Sequence, residues 1–154
     1  MTIGSTEKQA LDYFDDGFNC AQAVLLAFAK DSGLDETSTL KVAAGFGAGM
    51  GRLQSVCGAL TAVFMTIGCL YGKIRKDDTD ASEKTTKFIQ TAAEKFQTIH
   101  GHINCRDLLG CDLNTDEGRQ ISEAQNFHVT KCQSYVRTAC RIIDELIYNK
   151  ETKP

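Results

Sequence analysis

The sequence predicts an all-α fold, a compact bundle of five or six helices forming a single domain over residues 1–154. Apolar residues recur at helical spacing along nearly the whole chain, and no run of alternating residues is long enough to compete as a strand. Hydrophobic residues make up 42% and charged residues 24%, an ordinary globular balance that argues against disorder. A chain of this length buries roughly 68–70% of its unfolded surface on folding, so it needs no staple.

The elements follow in order. Thr6 and Gln9 make a capping box ahead of Ala10, Leu11 and Phe14, and Asp15, Asp16 and Gly17 end the first helix. The second starts near Asn19, buries Ala21, Val24, Leu25 and Phe28, and closes at Gly33. Ser38 caps a short third helix that runs into Gly45-Phe46-Gly47-Ala48-Gly49-Met50-Gly51-Arg52. Glycine at every second position there permits close backbone approach to a neighbouring helix, or an anion-binding loop. The segment does not fit G-x-G-x-x-G and has no Walker lysine, so no nucleotide is expected. A fourth helix runs from Ser55 to about Tyr71, and Lys73 to Ser82 is a surface connection. Ser82 caps the fifth, with Phe88, Ile89, Ala92, Ala93, Phe96 and Ile99 inward, and Gly101 stops it. Asn104 begins a short turn of helix before Gly110, a further short helix occupies Thr115 to Ala124, and the last runs from Thr130 to about Tyr148.

The balance of 17 basic against 20 acidic residues, with no basic stripe, argues against a nucleic-acid partner. Leu53 to Gly72 carries no charge and is long enough to span a bilayer. Its polar residues and glycines favour the central helix of a bundle instead, so the chain is not expected to be membrane-embedded. The N-terminus lacks the pattern of a secretory signal, and a cytoplasmic location is the expectation.

Seven cysteines are many for this length, and an odd number cannot all pair within one molecule. Without an export signal, metal binding or redox chemistry outranks a disulfide framework. Cys20 follows Asn19, Cys57 comes shortly after Ser55, Cys105 follows Asn104, and Cys132 comes shortly after Thr130. Each is thus predicted in the first turn of a helix, behind a residue suited to cap it. Unpaired N–H groups and the helix dipole stabilise a thiolate there, and the thiolate is both nucleophile and metal ligand. Cys69 and Cys140 read as packing residues within helices. Cys111, six residues after Cys105, is ambiguous: it reads first as a packing residue and second as an alternate ligand or resolving thiol. No C-x-x-C occurs, so any site is assembled from distant segments. His100 and His102 stand near Cys105 as a possible base or extra ligand, although His100 and His128 read more simply as structural. Asp35-Glu36 and Asp77-Asp78 read as solvated surface.

Phe18-Asn19-Cys20-Ala21-Gln22-Ala23, the glycine segment Ala44 to Arg52, Cys57-Gly58-Ala59, Ile103-Asn104-Cys105-Arg106 and Lys131-Cys132 resemble the C-GCAxxG-C-C family of redox-active proteins over nearly the whole chain. The resemblance places the family's four signature cysteines on Cys20, Cys57, Cys105 and Cys132. The family's C-G-A-x-x-G ends here in Ala62 rather than glycine, which adds a methyl group where the pattern has none. The resemblance implies redox or metal chemistry. A similar domain occurs in some multihaem cytochromes, but no C-x-x-C-H is present and haem is not expected.

Three functions follow as expectations. In the first, the four cysteines bind a metal centre, an iron–sulfur cluster ahead of zinc, and exchange electrons with an unknown donor or acceptor. In the second, a thiol–disulfide oxidoreductase or redox sensor uses Cys57 as the attacking thiol and a second cysteine to resolve. The third is a helical interaction module with buried thiols. A homo-oligomer is compatible with each.

Overall fold

A computed structural model describes residues 4–149. Among these residues there are nine helices and no strand, so the all-α class holds while the helices outnumber the five or six expected. They are α1 (Ser5–Asp15), α2 (Cys20–Ala27), α3 (Ala29–Ser32), α4 (Glu36–Ala43), α5 (Gly58–Tyr71), α6 (Thr79–His100), α7 (Cys105–Leu109), α8 (Asp116–Ala124) and a long α9. In α9 a π-helical turn, His128–Cys132, leads into an α-helical stretch, Gln133–Ile143, and a second π-helical turn, Asp144–Tyr148. The count rises because α3, α7 and α8 are short elements beside the main bundle.

Helix α5 is the centre of the molecule. Leu60, Ala62, Val63 and Ile67 are fully buried on it, where it packs against α2, α6 and α9, and α1 lies across α2 and α9. The extra methyl of Ala62 is accommodated in this core. Phe28 and Phe96 are the largest fully buried side chains, each worth roughly 1.5–3 kcal/mol relative to exposure.

Several boundaries move from the expected positions. Helix α1 starts at Ser5 behind a left-handed Gly4 with no side-chain cap, and Thr6 is buried inside the helix rather than capping it. Asp35 caps α4 by accepting the Ser38 N–H, and Asp78 caps α6 by accepting the Ala81 N–H, each ahead of the serine expected to do so. Helix α5 begins at Gly58, not Ser55, because residues 55–57 pair with the chain at 103–105. Cys57 N–H donates to Ile103 O at 2.8 Å and Cys105 N–H to Ser55 O at 2.7 Å. The uncharged stretch is therefore part loop and part a 14-residue helix, and no helix among the described residues is long and apolar enough to cross a membrane. Ile99, placed inward by spacing, is 61% exposed.

Candidate functional site

Four chain segments that are distant in sequence meet at one end of α5. Cys20 is the first residue of α2. Its cap, Asn19, forms a full capping box with Gln22, each side chain accepting the other's backbone N–H, at 2.9 and 3.1 Å. Cys57 is the residue that caps α5, and Cys105 opens α7 behind Asn104. Cys132 differs from the expectation: it closes the first π-helical turn of α9 and lies within a continuous helix. Thr130 does not cap it, since its hydroxyl donates back to Gln125 O and Asn126 O, both at 3.0 Å.

All four cysteines line a single cavity of about 260 Å³. Its other walls are mainly apolar, including Phe14, Leu108, Leu109, Phe127 and Tyr135. Leu113, Ser122 and His128 form its edge and also border an outer surface cleft. Two side chains from α9 fix α7 beside Cys132: Tyr135 Oη donates to Leu108 O at 3.2 Å, and Lys131 Nζ donates to Leu109 O at 3.1 Å.

The glycine segment forms one side of this site. Ala48, Gly49, Met50, Gly51 and Arg52 all have positive φ, between 53° and 67°, so the chain makes a turn of left-handed helix there. A left-handed conformation costs roughly 1–2 kcal/mol at each non-glycine residue, and strain of this kind gathers at functional sites. Here it buys a close approach: a Cβ at Gly49 would stand 2.7 Å from the Cys105 Cβ. On the opposite wall, a Cβ at Gly58 would stand 2.6 Å from both Cys20 Sγ and Phe46 O. Close packing, the first of the two uses expected of these glycines, holds at Gly47, against the Asn19 side chain, and at Gly49, while Gly45 faces open space.

The electrostatics differ from the helix-terminus argument. Burial pushes the Cys20 thiol up, opposed by N–H groups of Ala48, Ala21 and Ala59 that face its sulfur. Cys57 lies well above the ordinary thiol range, through burial first and repulsion from Cys20 second, despite the N–H groups of Leu60 and Ala59. Burial, with repulsion from Cys20, takes Cys105 to about 11 and Cys132 to about 12. The helix N-termini are present at three of the four, but desolvation outweighs them, and the bare site is a set of protonated thiols at neutral pH. Ionisation of Cys57 or of Cys132 is opposed further by the charge that Cys20 and Cys105 would carry as thiolates. Among the described residues, no group of three or more His, Cys, Asp or Glu side chains converges tightly enough to hold a single metal ion.

The remaining candidates separate clearly. Cys140 is buried as expected, Cys69 is exposed rather than packed, and Cys111 is buried next to the site but does not line the cavity. His100 bonds Thr138 Oγ1 at 2.9 Å and packs against Phe96 and Tyr135 without lining the cavity, and burial lowers its pKa. His102 is exposed. His128 stacks on Phe14 with ring centroids 4.0 Å apart, meets Asp15 at 2.9 Å, and sits at the cavity edge. Sequence reasoning missed Gln54 and Tyr135, and it allowed unusual dihedrals in the glycine segment without placing the left-handed turn. The dense glycines were a signal for the turn. Nothing local marked Gln54 or Tyr135.

Residues 18–146 match a family model described as "putative redox-active protein" and named C-GCAxxG-C-C for its cysteine pattern. No curated protein and no solved structure matches the chain.

Proposed function

The chain belongs to the C-GCAxxG-C-C family, and from that premise we propose that Cys20, Cys57, Cys105 and Cys132 together hold one metal centre, an iron–sulfur cluster in preference to zinc, for electron transfer or sensing. The observation that carries this reading is the meeting of all four on one cavity.

The donor set fits such a group. Four soft thiolate ligands are the number that a [2Fe–2S] or [4Fe–4S] cluster takes, and the walls around them are mainly apolar, with Cys57 and Cys105 buried and Cys20 and Cys132 half-buried. The thiols would give up their protons on binding, and the repulsion among them favours a cationic centre in their midst. N–H groups of Ala48, Ala21 and Ala59 at Cys20, and of Leu60 and Ala59 at Cys57, are placed to donate to ligated sulfur and tune its electron density. Bound there, a cluster supplies reversible electron uptake. Zinc has no redox chemistry, so a cluster suits a family described as redox-active better than zinc does. A thiol–disulfide role with Cys57 attacking requires its thiolate, which burial and the neighbouring thiols oppose.

The shared edge at Leu113, Ser122 and His128 is where the cavity comes nearest the outer cleft, and a donor or acceptor would approach there. Seven unpaired thiols suit a reducing compartment, which we take to be the cytoplasm. Anaerobic purification followed by iron and acid-labile sulfide analysis tests the reading. Iron and sulfide in about equal amounts, lost in Cys57→Ser, are expected. A colourless, metal-free protein with every thiol titratable would overturn it.

A further inference from the structure

We infer that Gln54 is the positioning residue of this site: its side-chain amide clamps the Cys105 turn against the cavity and presents an N–H to the Cys105 sulfur. The inference rests on reading the four cysteines as one centre.

Gln54 is 3% exposed, a buried amide among apolar and backbone neighbours. Its Oε1 accepts the Leu113 N–H at 2.9 Å. Its Nε2 donates to Cys111 O at 2.9 Å and stands 4.0 Å from Cys105 Sγ, and an amide nitrogen has two hydrogens, one for each direction. Its own backbone O accepts the Arg106 N–H at 3.1 Å, while the next carbonyl, Ser55 O, accepts the Cys105 N–H. Both ends of the segment from Cys105 to Leu113 are therefore tied to this one position.

The backbone at Gln54 sharpens the point. Its φ is +55°, a left-handed conformation that glycine adopts without strain and glutamine does not. The strain is accepted for what the side chain does. Its backbone also abuts the left-handed turn, since a Cβ at Gly49 would lie 2.7 Å from the Gln54 Cα. Gln54 thus joins the glycine wall of the cavity to the Cys105 wall without lining the cavity itself. An N–H directed at a ligated sulfur withdraws electron density and raises the reduction potential, and a fixed turn holds Cys105 at its distance from the other three.

Two variants of the full chain test this. Gln54→Glu keeps the acceptor for Leu113 and removes both N–H groups, and Gln54→Leu removes the polar contacts altogether. In the anaerobically purified protein both should lower the midpoint potential, by roughly the 59 mV that a tenfold change in the one-electron equilibrium represents. In the cofactor-free reduced chain, read by mass spectrometry, iodoacetamide should label Cys105 roughly tenfold faster in Gln54→Leu than in the parent, with Cys132 unchanged. Unchanged potential with unchanged Cys105 labelling would overturn the inference. So would equal acceleration at Cys20, Cys57, Cys105 and Cys132, which marks general loosening. If no metal is found in the parent protein, the cluster reading falls, and Cys105 labelling still decides the role of Gln54.

Discussion

Gly58 has no room for a side chain, because a single methyl group there collides with both Cys20 Sγ and the Phe46 carbonyl. Gly58→Ala is expected to cost about 1–3 kcal/mol through overpacking and to abolish metal retention, as read by denaturant unfolding and iron analysis. Ala62→Gly, four positions on, restores the family's final glycine and is expected to cost about 1 kcal/mol of helix stability with the site intact. The cysteines themselves make a pH prediction. In the unfolded chain a thiol ionises near 8.5. In the folded, cofactor-free chain Cys105 is held to about 11 and Cys132 to about 12. Between those values the folded state binds more protons, so stability is fully present below about pH 8.5 and is lost as pH rises through the window, by at most about 1.4 kcal/mol per group per pH unit. Denaturation midpoints of the cofactor-free chain should fall from pH 8 to pH 10, less steeply in Cys105→Ser. A flat profile would contradict the burial assigned to these thiols.

Helix α9 carries a second consequence of burial. Asp144 opens its second π-helical turn, is 6% exposed, and has one carboxyl oxygen with no hydrogen-bond partner. Burial, then the negative charges of Glu7 and Asp31, raise its pKa. A raised carboxyl pKa favours the folded state only while the group is protonated, so this contribution fades as pH rises through the folded pKa. Asp144→Asn should accordingly raise the melting temperature at pH 7.5, by an amount in the usual few-degree range for about 1 kcal/mol, and the gain should vanish near pH 3.5. An equal gain at both pH values would point to packing instead. Capping at Asn19, the start of α8 to within one residue at Thr115 and the stop at Gly101 were legible in the sequence, because each is settled by residues within one turn. The start of α5 was not, since Ser55 to Cys57 are claimed by a backbone pairing with Ile103 to Cys105 that local sequence cannot reveal. The π-helical turn that ends at Cys132 was illegible for the same reason: Thr130 is a good cap residue, and only the helix that has already begun at His128 overrides it.

At the scale of the whole molecule, α5 organises both the core and the site. Its buried face holds α2, α6 and α9, and its N-terminal end, at Cys57, is where the segments bearing Cys20, Cys105 and Cys132 converge. The cysteine pattern and its family resemblance singled out these four of seven from the sequence. Their protonation did not follow from sequence, because the helix-terminal N–H groups are local features whereas desolvation and mutual repulsion arise only when all four are assembled. Shared occupancy of one cavity is the centre of the account, and site-resolved labelling tests it most directly. The anaerobically isolated protein is alkylated under non-denaturing conditions before and after chelation, and each cysteine is quantified by mass spectrometry. With one shared centre, Cys20, Cys57, Cys105 and Cys132 are protected together and released together on chelation, while exposed Cys69 reacts throughout. Independent release of the four, or the same labelling before and after chelation, would contradict a single shared centre.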